Sequence, residues 1–92
     1  MRGKIKRETA LMRQIKQLLE FRGWFVIRFH QSLGSFRGLS DLAAVKNGRV
    51  VWIEVKAPGG RQSPYQLAFE DNIRDHGGEY LLARRIEDLE GL

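Results

Sequence analysis

The feature that most constrains this fold is the dipeptide Asn47-Gly48, set between the runs "DLAAVK" and "RVVWIEVK". Asparagine and glycine are what a two-residue type I′ hairpin turn demands, because both central residues take a positive φ. So short a loop leaves the register of the flanking strands no freedom. Lys46 must face Arg49, Val45 must face Val50, and the pairing carried outward sets Asp41 opposite Glu54. Alternation then sorts the second strand into two faces. Val51, Ile53, Val55 and Ala57 make one apolar face; Val50, Trp52, Glu54 and Lys56 make the other, which begins apolar and turns ionic.

Directly opposed strand residues have Cβ atoms about 4.5–5.5 Å apart, and like charges at that distance destabilise each other. On a largely apolar face, two carboxylates either raise one another's pKa or require a counter-charge. A hard divalent cation is the usual one, and Mg²⁺ favours one or two carboxylates together with waters and phosphate oxygens. Lys56, one pleat beyond Glu54, is placed to hold a water or a phosphate oxygen beside such an ion. The same residues would also serve a simple salt bridge from Lys56 to Asp41 or Glu54 where the strand meets water. A β-bulge would turn Asp41 to the other face.

The rest of the chain arranges itself around that hairpin. Met12, Ile15 and Leu19, with Leu11 and Leu18 beside them, predict a helix over residues 6–22, stopped by Gly23. "WFVIRF" predicts a first strand, and a polar loop runs from His30 to Ser40. Ser63-Pro64 predicts the start of a second helix, serine as N-cap and proline in the first helical position. Gly77-Gly78 ends it, "EYLLAR" predicts a fourth strand, and residues 86–92 a short last helix. The order α-β-β-β-α-β, with no repeat or linker, predicts a single α/β domain over residues 1–92, a mixed four-stranded sheet flanked by helices.

Composition narrows the chemistry. The 92 residues contain no cysteine, which excludes disulfides, thiolate catalysis and zinc–thiolate sites. No apolar run approaches the roughly 20 residues of a membrane span, and no secretory signal is visible, so a soluble intracellular protein is expected. Sixteen Lys and Arg against eleven Asp and Glu leave a net charge of +5. Arg2, Lys4, Lys6 and Arg7 come before the first acid. Such a surplus points to phosphate-bearing partners, through counterion release, or else to a solvated basic terminus.

Asp41 followed by Glu54-Val55-Lys56 on the adjoining strand resembles the PD-(D/E)XK nuclease superfamily. More narrowly, the chain resembles a stand-alone VRR-NUC domain, a small viral and bacterial form of that restriction-endonuclease-like fold. Glu8 in a first helix, "GWFVIRF", "GLSDLAAV", "WIEVKAP" and "SPYQ" carry the resemblance over nearly the whole chain. Ser40 departs from it, standing where proline typically precedes the aspartate. The resemblance implies Asp41, Glu54 and the carbonyl of Val55 as metal ligands, with Mg²⁺ or Mn²⁺ as the ion. Lys56 would position the attacking water and stabilise phosphate charge, and Glu8 would reach the site from the first helix. Glu8 would equally suit the dipole at the helix start. Gln66 is an active-site residue by resemblance, yet Ser63-x-x-Gln66 is also a capping box that explains it locally.

The function expected is that of a metal-dependent DNA endonuclease hydrolysing phosphodiester bonds, acting in the bacterial cytoplasm on branched DNA such as four-way (Holliday) junctions. Arg28, Arg37, Arg61, Lys46 and Arg49, with the basic terminus, are candidates to hold the backbone, and Phe36 to touch bases. A homodimer is expected, since one metal centre cuts one strand and two-fold pairing is the commonest oligomeric form. The alternative is a non-catalytic nucleic-acid-binding module that keeps the nuclease fold. His30 reads as a loop residue at the strand end and His76 as a partner of the second helix's C-terminal dipole.

Overall fold

The computed structural model describes the backbone of residues 2–30 and 35–92, with the first helix's side chains from residue 7 onward. The elements are α1 (Arg2–Phe21), β1 (Phe25–Arg28), β2 (Leu42–Lys46), β3 (Arg49–Val55), α2 (Pro64–Asp75) and β4 (Glu79–Ala83), closed by a 3₁₀ turn over Ile86–Leu89. The sheet order is β1-β2-β3-β4. The first three strands run antiparallel and β4 lies parallel to β3, which is the mixed sheet expected.

Asn47 and Gly48 take φ of 51° and 80°, the paired positive values of the type I′ turn. The register follows as the turn requires, from Lys46↔Arg49 to Leu42↔Ile53. There the ladder stops. Asp41 lies one residue outside β2, and its carbonyl accepts a hydrogen bond from the Phe29 N–H at 2.9 Å.

Alternation divides the molecule into two layers. Val51, Ile53 and Val55 join Leu42, Ala44 and Val26 against Ile15 and Leu19 of α1, forming the buried core. α1 ends in a Schellman arrangement, Trp24 N–H to Leu19 O at 2.9 Å and Gly23 N–H to Glu20 O at 3.0 Å, which turns the chain directly into β1. On the opposite face α2 lays Phe69 across Trp52 and Tyr80, ring centroids 5.7 and 6.2 Å away, and Phe29 stacks on Trp52 at 5.8 Å. The ionic end of β3 therefore emerges beside the first turn of α2. No described helix is long and apolar enough to cross a membrane.

Candidate active site

Glu54 lies on the α2 face, one pleat beyond Trp52, and only 1% of it is exposed. Its Oε2 accepts a hydrogen bond from Gln66 Nε2 at 3.1 Å and lies 3.5 Å from Lys56 Nζ. Its Oε1 is buried with no hydrogen-bond partner among the described residues. A buried carboxylate oxygen left bare is costly, because burial removes its water and nothing replaces it.

Asp41 approaches from the residue just ahead of β2. Its Oδ2 accepts the Val55 backbone N–H at 2.8 Å, so a side chain continues the inter-strand bonding where the backbone ladder has stopped. That bond fixes the carboxylate beside the Glu54–Val55 peptide. Within a strand a residue's N–H and C=O point to the same side, which turns the Val55 carbonyl toward Asp41 as well. Burial first, and then the charge of Asp41, pushes the Glu54 carboxyl up to about 8, with Lys56 opposing both. Beneath it, burial followed by the negative charge of Glu54 raises the Tyr80 phenol well above its ordinary value.

Gln66 closes the capping box and also contacts Glu54. Its backbone N–H donates to Ser63 Oγ at 3.2 Å and its Oε1 accepts from the Ser63 N–H at 2.8 Å, completing the capping box. The same side chain's Nε2 holds Glu54. One amide thus caps α2 and orients a carboxylate, because the helix starts at the ionic end of β3. Glu8 also reaches that end, but its Oε1 accepts the Ala57 N–H at 3.2 Å, anchoring the chain just past Lys56. Among the described residues no third Asp, Glu or His joins Asp41 and Glu54 in a group that could enclose an ion by itself. Ser40, in the position where the resemblance expects proline, is fully buried and donates from Oγ to Leu42 O at 3.0 Å, so the departure leaves no unmet polar group.

This donor set suits a hard cation. Two carboxylates and a carbonyl are all oxygen ligands, and one carboxylate oxygen waits without a partner. A site with two protein carboxylates, completed by waters and phosphate, is the kind Mg²⁺ and Mn²⁺ occupy.

The basic candidates scatter. Arg7, Arg28, Arg37 and Arg61 are exposed, whereas the side chains of Arg2, Lys4 and Lys6 lie outside the described residues. Arg49 is held by Glu79 (Nε to Oε2, 2.9 Å), and Lys46 donates to Arg22 O at 2.8 Å, at the hairpin end far from the carboxylates. His76 caps α2, its Nδ1 2.7 Å from Asn72 O, while His30 is exposed. Two residues escape notice in the sequence. Arg84, after β4, donates from Nη1 to Gly60 O at 2.7 Å and Ala57 O at 3.2 Å, bracing the turn that follows Lys56. Tyr65, beside Gln66, carries Arg37 on its ring. Neither has a local signal, since each matters only through a partner distant in sequence.

The arrangement is that of the PD-(D/E)XK fold, with two carboxylates and a lysine at the end of the central hairpin. A solved structure described as a VRR_NUC domain shares the fold with a TM-score of 0.77 at 22% identity, covering 88% of this chain and 87% of that one. The sequence profile of the family "Archaeal holliday junction resolvase (hjc)" matches residues 4–87, and the chain belongs to that family. A curated protein of Acyrthosiphon pisum secondary endosymbiont phage 1, "Putative nuclease p44", is 37% identical over 51 residues. That match spans 54% of this chain and 48% of the phage protein, about half the relative's length.

Proposed function

We propose that this nuclease is a divalent-metal-dependent endodeoxyribonuclease that hydrolyses phosphodiester bonds in branched DNA, four-way junctions foremost. The observation that carries the reading is the buried Glu54, one carboxylate oxygen bare, with the half-buried Asp41 fixed beside it on the Val55 N–H. Asp41, Glu54 and the Val55 carbonyl would hold Mg²⁺ or Mn²⁺, which when bound would supply a water nucleophile at neutral pH and neutralise charge on the phosphoryl group. Lys56 holds the attacking water or a non-bridging phosphate oxygen, its ammonium kept in place by Glu54. Gln66 keeps the Glu54 carboxylate turned toward the site, and Glu8 fixes the chain beyond Lys56 through the Ala57 N–H.

Branched DNA is favoured by the family's name, which associates its archaeal members with Holliday junctions. A chain with one carboxylate site cuts one strand, and a homodimer supplies the two sites that paired nicks across a two-fold junction need. The exposed Arg28, Arg37 and Arg61, with the basic terminus, grip the backbone.

The test is cleavage of a four-way junction and a linear duplex of the same sequence, with Mg²⁺, with Mn²⁺ and with EDTA. Junction cutting that needs the metal and disappears in Asp41→Asn is expected. Cutting at the full rate in EDTA would refute the metal assignment. Equal rates on junction and duplex would refute the substrate.

A further inference from the structure

Beside the carboxylates lies a cleft of about 340 Å³, lined by Arg37, Gly38, Leu39 and Asp41 ahead of β2 and by Ser63, Tyr65 and Gln66 at the start of α2. Gln66 is the residue bonded to Glu54, so whatever occupies the cleft abuts the atoms that would hold the scissile phosphate. At Gly38 the two segments meet backbone to backbone. Gly38 has φ of +80°, and a Cβ on it would collide with the Tyr65 carbonyl and stand 2.8 Å from Gln66 N. The chain at Gly38 is therefore seated on the first turn of α2.

The cleft carries an exposed aromatic and a cation, with a second exposed aromatic next in sequence to Arg37. Tyr65 is 54% exposed, with the Arg37 guanidinium 4.9 Å from its ring centroid and Nη1 donating to its hydroxyl at 2.7 Å. Phe36, 64% exposed, touches Phe69 edge-on at 5.9 Å. Neither aromatic belongs to the core. An exposed aromatic ring beside a guanidinium is the chemistry that recognises a nucleotide: the ring stacks on any base once the guanidinium swings off it, and the planar fork pairs with a phosphate. A base inside a duplex has both faces covered by its neighbours, so only an unstacked nucleotide can offer one.

We propose that this cleft seats one unstacked nucleotide of the strand being cut, its base against Tyr65 and the adjoining phosphate on Arg37. The proposal rests on the nuclease reading for its direction, and it names the substrate feature that reading leaves open. The enzyme selects places where a nucleotide has left the stack, as at a branch point or gap. Arg37 covers the Tyr65 ring in the free protein and is the group that moves to the phosphate.

Fluorescence anisotropy in EDTA tests this with single-stranded, gapped and intact duplex oligonucleotides, so that binding is read without cleavage. Removing an aromatic platform typically costs roughly 5- to 150-fold in affinity. Tyr65→Ala and Tyr65→Leu are expected to weaken single-stranded and gapped binding within that range while changing duplex binding less than about 2-fold. Tyr65→Phe, which keeps the ring, restores it. A 2-aminopurine at the gap should be quenched by wild type and Tyr65→Phe but not by Tyr65→Ala. Arg37→Ala should reduce the salt slope for gapped DNA by about 1. Equal losses on all three substrates, or none on gapped DNA, would overturn the proposal. Wild-type cleavage read alongside separates the two ideas. A chain that cuts junctions yet binds without regard to Tyr65 refutes the cleft alone, whereas Tyr65-dependent binding without any cutting refutes the nuclease reading alone.

Discussion

Replacing Glu54 by glutamine should change how the metal-free protein responds to pH. In the folded chain the Glu54 carboxyl titrates near 8, against an ordinary value of 4.5. Between those values the folded state holds a proton that the unfolded state has released, so stability falls as pH rises through the window. From pH 5 to pH 8 the loss attributable to this one group is about 3 kcal/mol. In a domain of this size that is on the order of 10 °C or more in Tm. Glu54→Gln carries no titrating proton and keeps an oxygen for Gln66, so its curve over the same range should lack that slope. The measurement is urea or thermal unfolding in EDTA at pH 5, 6, 7 and 8 for both proteins. Comparing slopes rather than absolute stabilities cancels any packing change from the substitution. Mg²⁺ added at pH 8 should raise the wild-type midpoint and leave Glu54→Gln nearly unmoved. Parallel curves for the two proteins would refute the reasoning.

Asp41→Asn and Lys56→Ala should each abolish cleavage while leaving far-UV circular dichroism unchanged, since neither residue belongs to the core; cleavage at the wild-type rate in Asp41→Asn would remove it from the site. Deleting residues 1–6 removes Arg2, Lys4 and Lys6. The slope of log affinity against log salt should then shrink by roughly 2–3 on duplex DNA if the terminus contacts phosphates. Gly38→Ala should lower stability by on the order of 2 kcal/mol, through left-handed backbone strain and a collision with the Tyr65 carbonyl. A denaturation midpoint at the wild-type value would show that the loop shifts freely. Light scattering at micromolar concentration should give twice the mass of the 92-residue chain, and a strict monomer would refute the dimer.

The sequence by itself determined whatever depends on neighbours a few residues away. Asn47-Gly48 dictated a turn with two positive φ values, and with it a register that runs undisturbed to Leu42↔Ile53. Strand alternation then put Glu54 on the face of Trp52 rather than with Val55. Ser63, Pro64 and Gln66 announced the start of α2 because a capping box is closed within four residues. Tertiary structure decided what those local pieces meet. It turned the α2 start toward β3, so that the capping glutamine also holds Glu54, twelve positions away. It ended the β2 ladder one residue early and substituted the Asp41 carboxylate for the missing partner of the Val55 N–H. Glu8 was brought to Ala57, Arg84 to the turn after Lys56, and Tyr65 under Arg37. None of these contacts has a spacing that could be read along the chain. They arise because α1 and α2 must bury apolar stripes on opposite faces of one twisted sheet, and the angle of that packing alone decides which polar side chains arrive at the open end of β3.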